Sequence, residues 1–373
     1  MQAAGGAVGE AGDDLDVVGL GALNVDLIAP AEEHAGRFAD LEDNETLVET
    51  GEIGSRILAG GLATRTYLGG SAYNAMAMLA GLGAALRLAM IGISTEARDH
   101  RGRRHVDRLR ELGVVDLTRR SSGRPGQCLA LTEGNRRRLY TSPEANLGIA
   151  RYLAADDRPR QAVAGARVLH LTSLLENPAA PGSDAVARAV AGFVEEAKAA
   201  HPALLVSFDP GRTWVDGLAG LSVLRRVYRL ADLLYVSPQE YGVLSGRPFT
   251  GVVQEASLVG LCSPGATVIV KPTDEIVVRA ATGRERARVP RADGTVAVDP
   301  TGAGDAVAAG VLAAQAAGGT LVEGCQLGLW IAARRVSAHG DGGHVGLARA
   351  PLVFPWLRGP SAAHGVSPRR SPW

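Results

Sequence analysis

Along the chain, short uninterrupted apolar runs alternate with stretches whose apolar residues recur every three or four positions. The uninterrupted runs read as buried strands: the start of "DVVGLGALNVDLIAP" (16–30), "LRLAMIGI" (86–93), "ARVLHLTSL" (166–174), "ALLVSFD" (203–209), "ADLLYVS" (231–237) and "ATVIVK" (266–271). The periodic stretches read as helices: "SAYNAMAMLAGLGA" (71–84), "HVDRLRELG" (105–113), "DAVARAVAGFVEEAKAA" (184–200), "LSVLRRVYRL" (221–230) and "EASLVGLC" (255–262). In the second of these, Val106, Leu109 and Leu112 share one face and Gly113 is a stop signal. "GQCLALTE" and "RRRLYTS" flank Gly134-Asn135, the pattern of a hairpin. Strands alternating with helices predict an α/β fold, a mostly parallel sheet covered by helices on both faces. Ligands of such sheets bind beyond the carboxyl ends of the strands. No repeat of fixed period interrupts the pattern.

Three segments depart from this rhythm. Residues 1–14 are small and acidic and predict a disordered tail; 355–373, rich in Pro, Ser and Arg, predict a second. One domain is expected between them, over 15–354. Residues 29–68 are mixed in polarity and too long for a plain connection between a strand and a helix. They read as an insertion whose elements form most of a lid over the site.

Bulk composition narrows the class. The chain has 39 basic and 39 acidic residues, which argues against a nucleic-acid partner. Lys198 and Lys271 are its two lysines. Cys128, Cys262 and Cys325 stand far apart, without metal-ligand spacing, and predict a reducing, cytoplasmic setting. The N-terminal stretch lacks the basic and apolar regions of a signal peptide, and no apolar run reaches membrane-spanning length. A soluble enzyme is expected.

The candidate chemistry lies in "VAVDPTGAGDAVAAG" (296–310), where Thr301-Gly302-Ala303-Gly304-Asp305 runs into an alanine-rich helical stretch. The first amides of a helix have no partner within it. Two glycines let that backbone approach a ligand closely. Unpaired amides and the helix dipole together favour an anion such as phosphate. A carboxylate there is poorly suited to bind phosphate. It is well suited to take a proton from a hydroxyl that attacks one. By itself, "GAGD" could equally be a capped tight turn.

The longer string "VDPTGAGDAVAAG" resembles the C-terminal signature of the ribokinase-like carbohydrate kinases (phosphofructokinase-B type), Asp-x-Thr-Gly-Ala-Gly-Asp opening a helix. "GLGALNVDLI" is similar to the family's first strand, which ends in Asn-x-Asp, and "LGGSAYNAMAMLAGLGA" to its N-terminal signature. The resemblance implies a three-layer ribokinase-like fold with a small lid, and an ATP-dependent phosphotransferase. It implies Asp305 as catalytic base and Gly302, Ala303 and Gly304 as an anion hole. It implies Asn24, Asp26, Gly69, Gly70 and Asn74 as contacts to a sugar or nucleoside. Lys271, Thr301 and Glu240 fall on the nucleotide side, with Glu240 reaching Mg²⁺ through water. A monovalent cation is left open, and a homodimer through the lid is implied.

Some positions depart from the family pattern. Ser94 stands where an acid is common, Gly211 where Asn is usual, and Ser237 replaces the Asn that precedes Glu240 by three. Pro272-Thr273-Asp274 follow Lys271 where a glycine is common. The long spacing from Asp26 to Gly69, and a hairpin leading to Ala145-Asn146, are similar to adenosine-kinase-like members. The acceptor is therefore a free sugar, a sugar phosphate or a nucleoside, with Tyr67, Tyr73 and Phe38 as base-stacking candidates that could equally be packing. The departures leave one alternative, a catalytically impaired sugar- or nucleoside-binding regulator of the same fold. A dinucleotide site is disfavoured because Asn24 stands where the fingerprint needs glycine. A P-loop is excluded because neither lysine follows a glycine.

Overall fold

The structure is a computed structural model. It describes residues 14–358 apart from 31–44, 49–50, 62–63, 134–135, 173, 175–183, 218–221, 252, 254–257, 259, 264, 273–274, 281–284, 291–297, 341–343 and 345. The two expected tails (but for Asp14 and 355–358), Phe38, the Gly134-Asn135 turn and half of 255–262 lie outside the described residues.

Fourteen strands are described: β1 (Val17–Leu20), β2 (Asn24–Pro30), β3 (Glu45–Leu47), β4 (Arg65–Gly69), β5 (Leu88–Ser94), β6 (Val115–Arg120), β7 (Gly126–Glu133), β8 (Arg136–Ser142), β9 (Val168–Thr172), β10 (Leu205–Asp209), β11 (Leu233–Val236), β12 (Thr267–Val270), β13 (Glu275–Ala280) and β14 (Glu285–Pro290). Nine form one sheet in the order β14-β13-β12-β11-β10-β9-β1-β5-β6. Its strands from β6 to β12 run parallel, and β13 and β14 add an antiparallel edge. Each residue of β1, β5, β9, β11 and β12 is buried. That is why these strands read as unbroken apolar runs: both faces are covered, so no alternation is needed.

On one face the Ala185–Ala200 and Ser222–Leu230 helices pack Val190, Phe193, Val194, Leu224 and Val227 onto the sheet. On the other, the Ser71–Gly81, Ala303–Ala317 and Leu321–Arg335 helices contribute Met76, Leu79, Leu312 and Leu327. The fold class expected from sequence is thus the one observed. The last two helices touch backbone to backbone. A Cβ on Gly328 would lie 2.8 Å from the Val307 Cα, and one on Gly324 would lie 2.9 Å from the Val311 Cα. Gly310 faces the same seam against Gly328 and Gly324.

A second sheet has the order β3-β8-β7-β2-β4. The chain leaves the large sheet at Leu20 and enters this one at Asn24, with only three residues between. It returns along β4, antiparallel to β2 with Asn24 opposite Gly69, straight into the Ser71–Gly81 helix. The junction of the two sheets therefore carries both the outgoing and the incoming chain.

Residues 29–68, expected to supply most of the lid elements, are joined in the second sheet by a contribution from elsewhere in the chain. That segment gives β3, β4 and the Glu52–Gly60 helix, while β7 and β8 come from the hairpin. The hairpin joins the sheet through pairing: β2 has two edges, β4 covers one, and β7 covers the other. At the C-terminal end the packed chain continues past 354, because Pro355–Arg358 forms a turn that buries Leu357.

The glycine seam gives a test. Gly310→Val should lower the free energy of unfolding by about 1–3 kcal/mol through overpacking. Urea denaturation would measure this, and an unchanged midpoint would mean that the two helices separate without cost.

Candidate active site

The turn before the Ala303–Ala317 helix is folded by a buried carboxylate. Asp299 is fully buried; one oxygen accepts the Thr301 N–H at 2.9 Å and the other the Gly340 N–H at 3.3 Å. Gly302 then takes φ +81°, a left-handed conformation that favours glycine. Ala303 N–H donates to Pro300 at 3.3 Å, and the first i→i−4 bond of the helix is Ala306 N–H to Gly302 at 3.0 Å. The amides of Gly304 and Asp305 come before that bond, at the positive end of the helix dipole. The Thr301 hydroxyl is buried, and its oxygen has no hydrogen-bond partner among the described residues.

Asp305 lies in the first turn, and Asn74 donates its side-chain N–H to Asp305 Oδ2 at 2.8 Å. Asn74 is itself buried, one turn into the Ser71–Gly81 helix. The helix begins at Gly70, whose φ is +106° and whose Cα lies against the Ala22 carbonyl. Gly69 leaves no room for a Cβ, because the Asp26 carboxylate packs on it. His105, wholly buried, reaches the Gly69 carbonyl at 3.2 Å. Asn24 accepts a hydrogen bond from the Asn146 amide at 2.9 Å, so its own carbonyl oxygen points to Asn146. Asn146 in turn accepts the Leu23 N–H at 3.1 Å.

Across the turn, Lys271 forms an ion pair with Asp209 at 2.6 Å. The ammonium is also the nearest group to Gly304, 3.2 Å from where a Cβ would stand. Burial disfavours this ammonium, but the Asp209, Glu240 and Asp305 carboxylates outweigh it and hold the Lys271 pKa above its ordinary value. Glu240 closes a capping box: it accepts the Ser237 N–H at 2.7 Å and donates its own N–H to Ser237 Oγ at 3.2 Å. Ser237 is thus a helix cap, a role that its hydroxyl performs without the missing amide.

Residues 15–345 match the family described as pfkB family carbohydrate kinase. The chain belongs to that family. A probable sugar kinase from Rhizobium etli CFN 42 has a similar structure, with TM-score 0.73 and 20% identity over 92% of this chain and 99% of that one. An adenosine kinase from Sinorhizobium meliloti gives TM-score 0.72 and 22% identity over 91% and 99%. An Anopheles gambiae adenosine kinase in complex with P1,P4-di(adenosine-5) tetraphosphate gives 0.71 and 19% over 88% and 98%. The fold of this chain is that of the ribokinase-like kinases.

Within this kinase fold, the sequence-selected residues fall into contiguous groups. Gly69, Gly70, Asn74 and Asp305 are linked through the Asn74 bond, with Asp26 against Gly69. Thr301, Gly302, Ala303 and Gly304 form the adjoining turn, with Lys271 beside it. Glu240 acts on that lysine electrostatically. Sequence reading passed over Asp209, Asn146, His105 and Arg335 as site residues, although Asn146 ends a hairpin singled out for the resemblance. Ser94 is buried and accepts from the Thr118 hydroxyl at 2.9 Å, which accounts for a serine there. Gly211 has φ +62° and opens the Gly211–Gly217 helix. Tyr67 and Tyr73 are buried edge-to-face against His100 and His105, so both serve packing. No helix among the described residues is long and apolar enough to cross a membrane.

Two buried histidines near this site give a pH test. Burial pushes His105 and His170 down to about 4, with the backbone bonds of His105 to Gly69 and Asn24 opposing it. Between the ordinary histidine range and that value, the unfolded chain binds protons that the folded chain refuses. Stability is therefore complete above the unfolded pKa and is lost as the pH falls toward 4. Lowering the pH from about 7 to about 5 should cost about 2 kcal/mol per histidine. Urea titrations at the two pH values would show it, and His170→Asn should remove a substantial part of the difference.

Proposed function

We propose that the protein transfers a phosphoryl group from ATP to a hydroxyl, a primary one, of a sugar or nucleoside. The observation that carries this reading is the juxtaposition at one helix start: the Asp305 carboxylate held by Asn74, beside amides and an ammonium that suit an anion. In this reading Asn74 orients Asp305, and Asp305 accepts the proton of the attacking hydroxyl. The amides of Gly304 and Asp305, with Lys271, face the charge on the moving phosphoryl group. The Thr301 hydroxyl, buried and without a partner among the described residues, would bond a nucleotide phosphate oxygen. Asp26, Asn24, Gly69 and Gly70 line the side where the acceptor would sit. The second sheet covers it as a lid and limits access of water.

Mg²⁺ fits this reading only indirectly. Among the described residues no group of three or more His, Cys, Asp or Glu could hold a metal ion. Asp209 is committed to Lys271, and one Glu240 oxygen to the Ser237 cap. Mg²⁺ would take mainly phosphate and water ligands, with Glu240 acting through water, and would neutralise phosphate charge. Solved neighbours from Schistosoma mansoni are adenosine kinases in complex with 2-fluoroadenosine and with tubercidin, which makes nucleosides the first acceptors to try.

The test begins with ADP release by the wild-type protein against nucleosides, pentoses, hexoses and sugar phosphates, with mass spectrometry of the product. For the acceptor that responds, Asp305→Asn should lower kcat by about 10²–10⁴-fold while ATP affinity changes by less than about threefold. A variant that turns over at near the wild-type rate would remove Asp305 from the role of base.

A further inference from the structure

We propose that Arg335 is a positioning residue for phosphoryl transfer, a buried cation that holds the phosphate-binding turn from behind; this rests on the kinase reading above. Arg335 is the last residue of the Leu321–Arg335 helix, where a basic residue is ordinarily solvated and favoured by the dipole. Here its side chain is only 5% exposed. The guanidinium lies along the Cα of Gly302: a Cβ there would be 3.0 Å from Nε and 3.5 Å from Cζ and Nη2. Nη1 stands 3.6 Å from Asp299 Oδ2 and 3.4 Å from the Ala338 carbonyl. Asp299 is the carboxylate that accepts the Thr301 N–H. One charge pair thus grips both residues of the turn, Thr301 through the acid and Gly302 through the base.

Stability alone gives little reason for this arrangement. A buried ion pair is often no better for stability than apolar residues of the same volume. The guanidinium also lies against the positive end of the Ala303–Ala317 helix, a further cost. An anion bound at the turn offsets both. The turn then has a cation on each side, Lys271 at Gly304 and Arg335 at Gly302, which suits a polyphosphate. It also explains why position 302 tolerates no side chain beyond its left-handed φ: the space is filled by Arg335.

The role predicts a signature that a merely structural residue lacks. Arg335→Met keeps the volume and removes the charge. It should raise the Kd of a non-hydrolysable ATP analogue, measured by calorimetry, by about tenfold. It should also lower kcat by about 10–100-fold, with the acceptor KM within about twofold. In Arg335→Ala, millimolar guanidinium ion should restore part of the rate, whereas urea at the same concentration should not. Unchanged analogue binding and kcat in a folded Arg335→Met protein would overturn the proposal, as would equal losses in both KM values without guanidinium response. Should these variants fail to fold, Arg335→Lys decides: weaker analogue binding is expected, and wild-type behaviour would refute the role. Calorimetry also separates this proposal from the reading beneath it. If the wild-type protein phosphorylates nothing, the kinase reading fails, yet analogue binding still tests Arg335.

Discussion

The site depends on one hydrogen bond, from the Asn74 amide to the Asp305 carboxylate, between residues 231 positions apart. It can form only if two helices start at the same end of the same sheet and on the same face. Both conditions are met by packing. Ser71–Gly81 and Ala303–Ala317 share one apolar cluster, and each begins at a glycine with positive φ, Gly70 and Gly302. A side chain at either glycine would meet backbone or a buried guanidinium. The bond fixes which way the carboxylate faces, and everything proposed about proton transfer follows from that orientation.

The same helix start concentrates charge of both signs. Three carboxylates act on Lys271, and their attraction exceeds the cost of its burial. A lysine in this state is not a reservoir of protons at neutral pH. It is a fixed positive charge, tied to Asp209 and set against Gly304. An arrangement of this kind is preorganised: its charges need little reorientation when an anion arrives. Glu240 illustrates how the same group can serve two ends. As a capping-box acid it secures its own helix, and as a nearby charge it helps to hold Lys271 ionised.

Much of this was legible in the sequence because it is local. The strands of the large sheet read as apolar runs, and the glycines beside Asp305 and Asn74 mark their turns within a few residues. The Asp209–Lys271 pair was not legible, since those residues are 62 apart and stand at the ends of strands separated by β11. Only the strand order brings their carboxyl ends together. Arg335 was hidden for a different reason: at the end of a helix it looks like an ordinary solvated base, and burial cannot be read from position. The share of the second sheet that comes from the hairpin was not legible, because strands in a small mixed sheet are recruited by pairing, and the hairpin, far along the chain, supplies the partner β2 needs. The capping box between Ser237 and Glu240 went unread, although Ser-x-x-Glu is its local signature.

The second sheet meets the segment that folds the Thr301–Gly302 turn at a further point, and this constrains how the parts move together. The Tyr67 ring, on β4, fills the space where Gly340 would carry a side chain. The Gly340 N–H donates to Asp299, whose other oxygen holds Thr301. Tyr67 is in turn fixed edge-to-face on His100, whose ring nitrogen and backbone N–H both reach the Thr66 carbonyl. A shift of β4 toward Gly340 would therefore displace it, because close-packed contacts yield by displacement rather than by compression. The second sheet, which would cover the acceptor, and the turn, which would hold the phosphates, are mechanically joined through a glycine that no larger residue could replace without moving one of them.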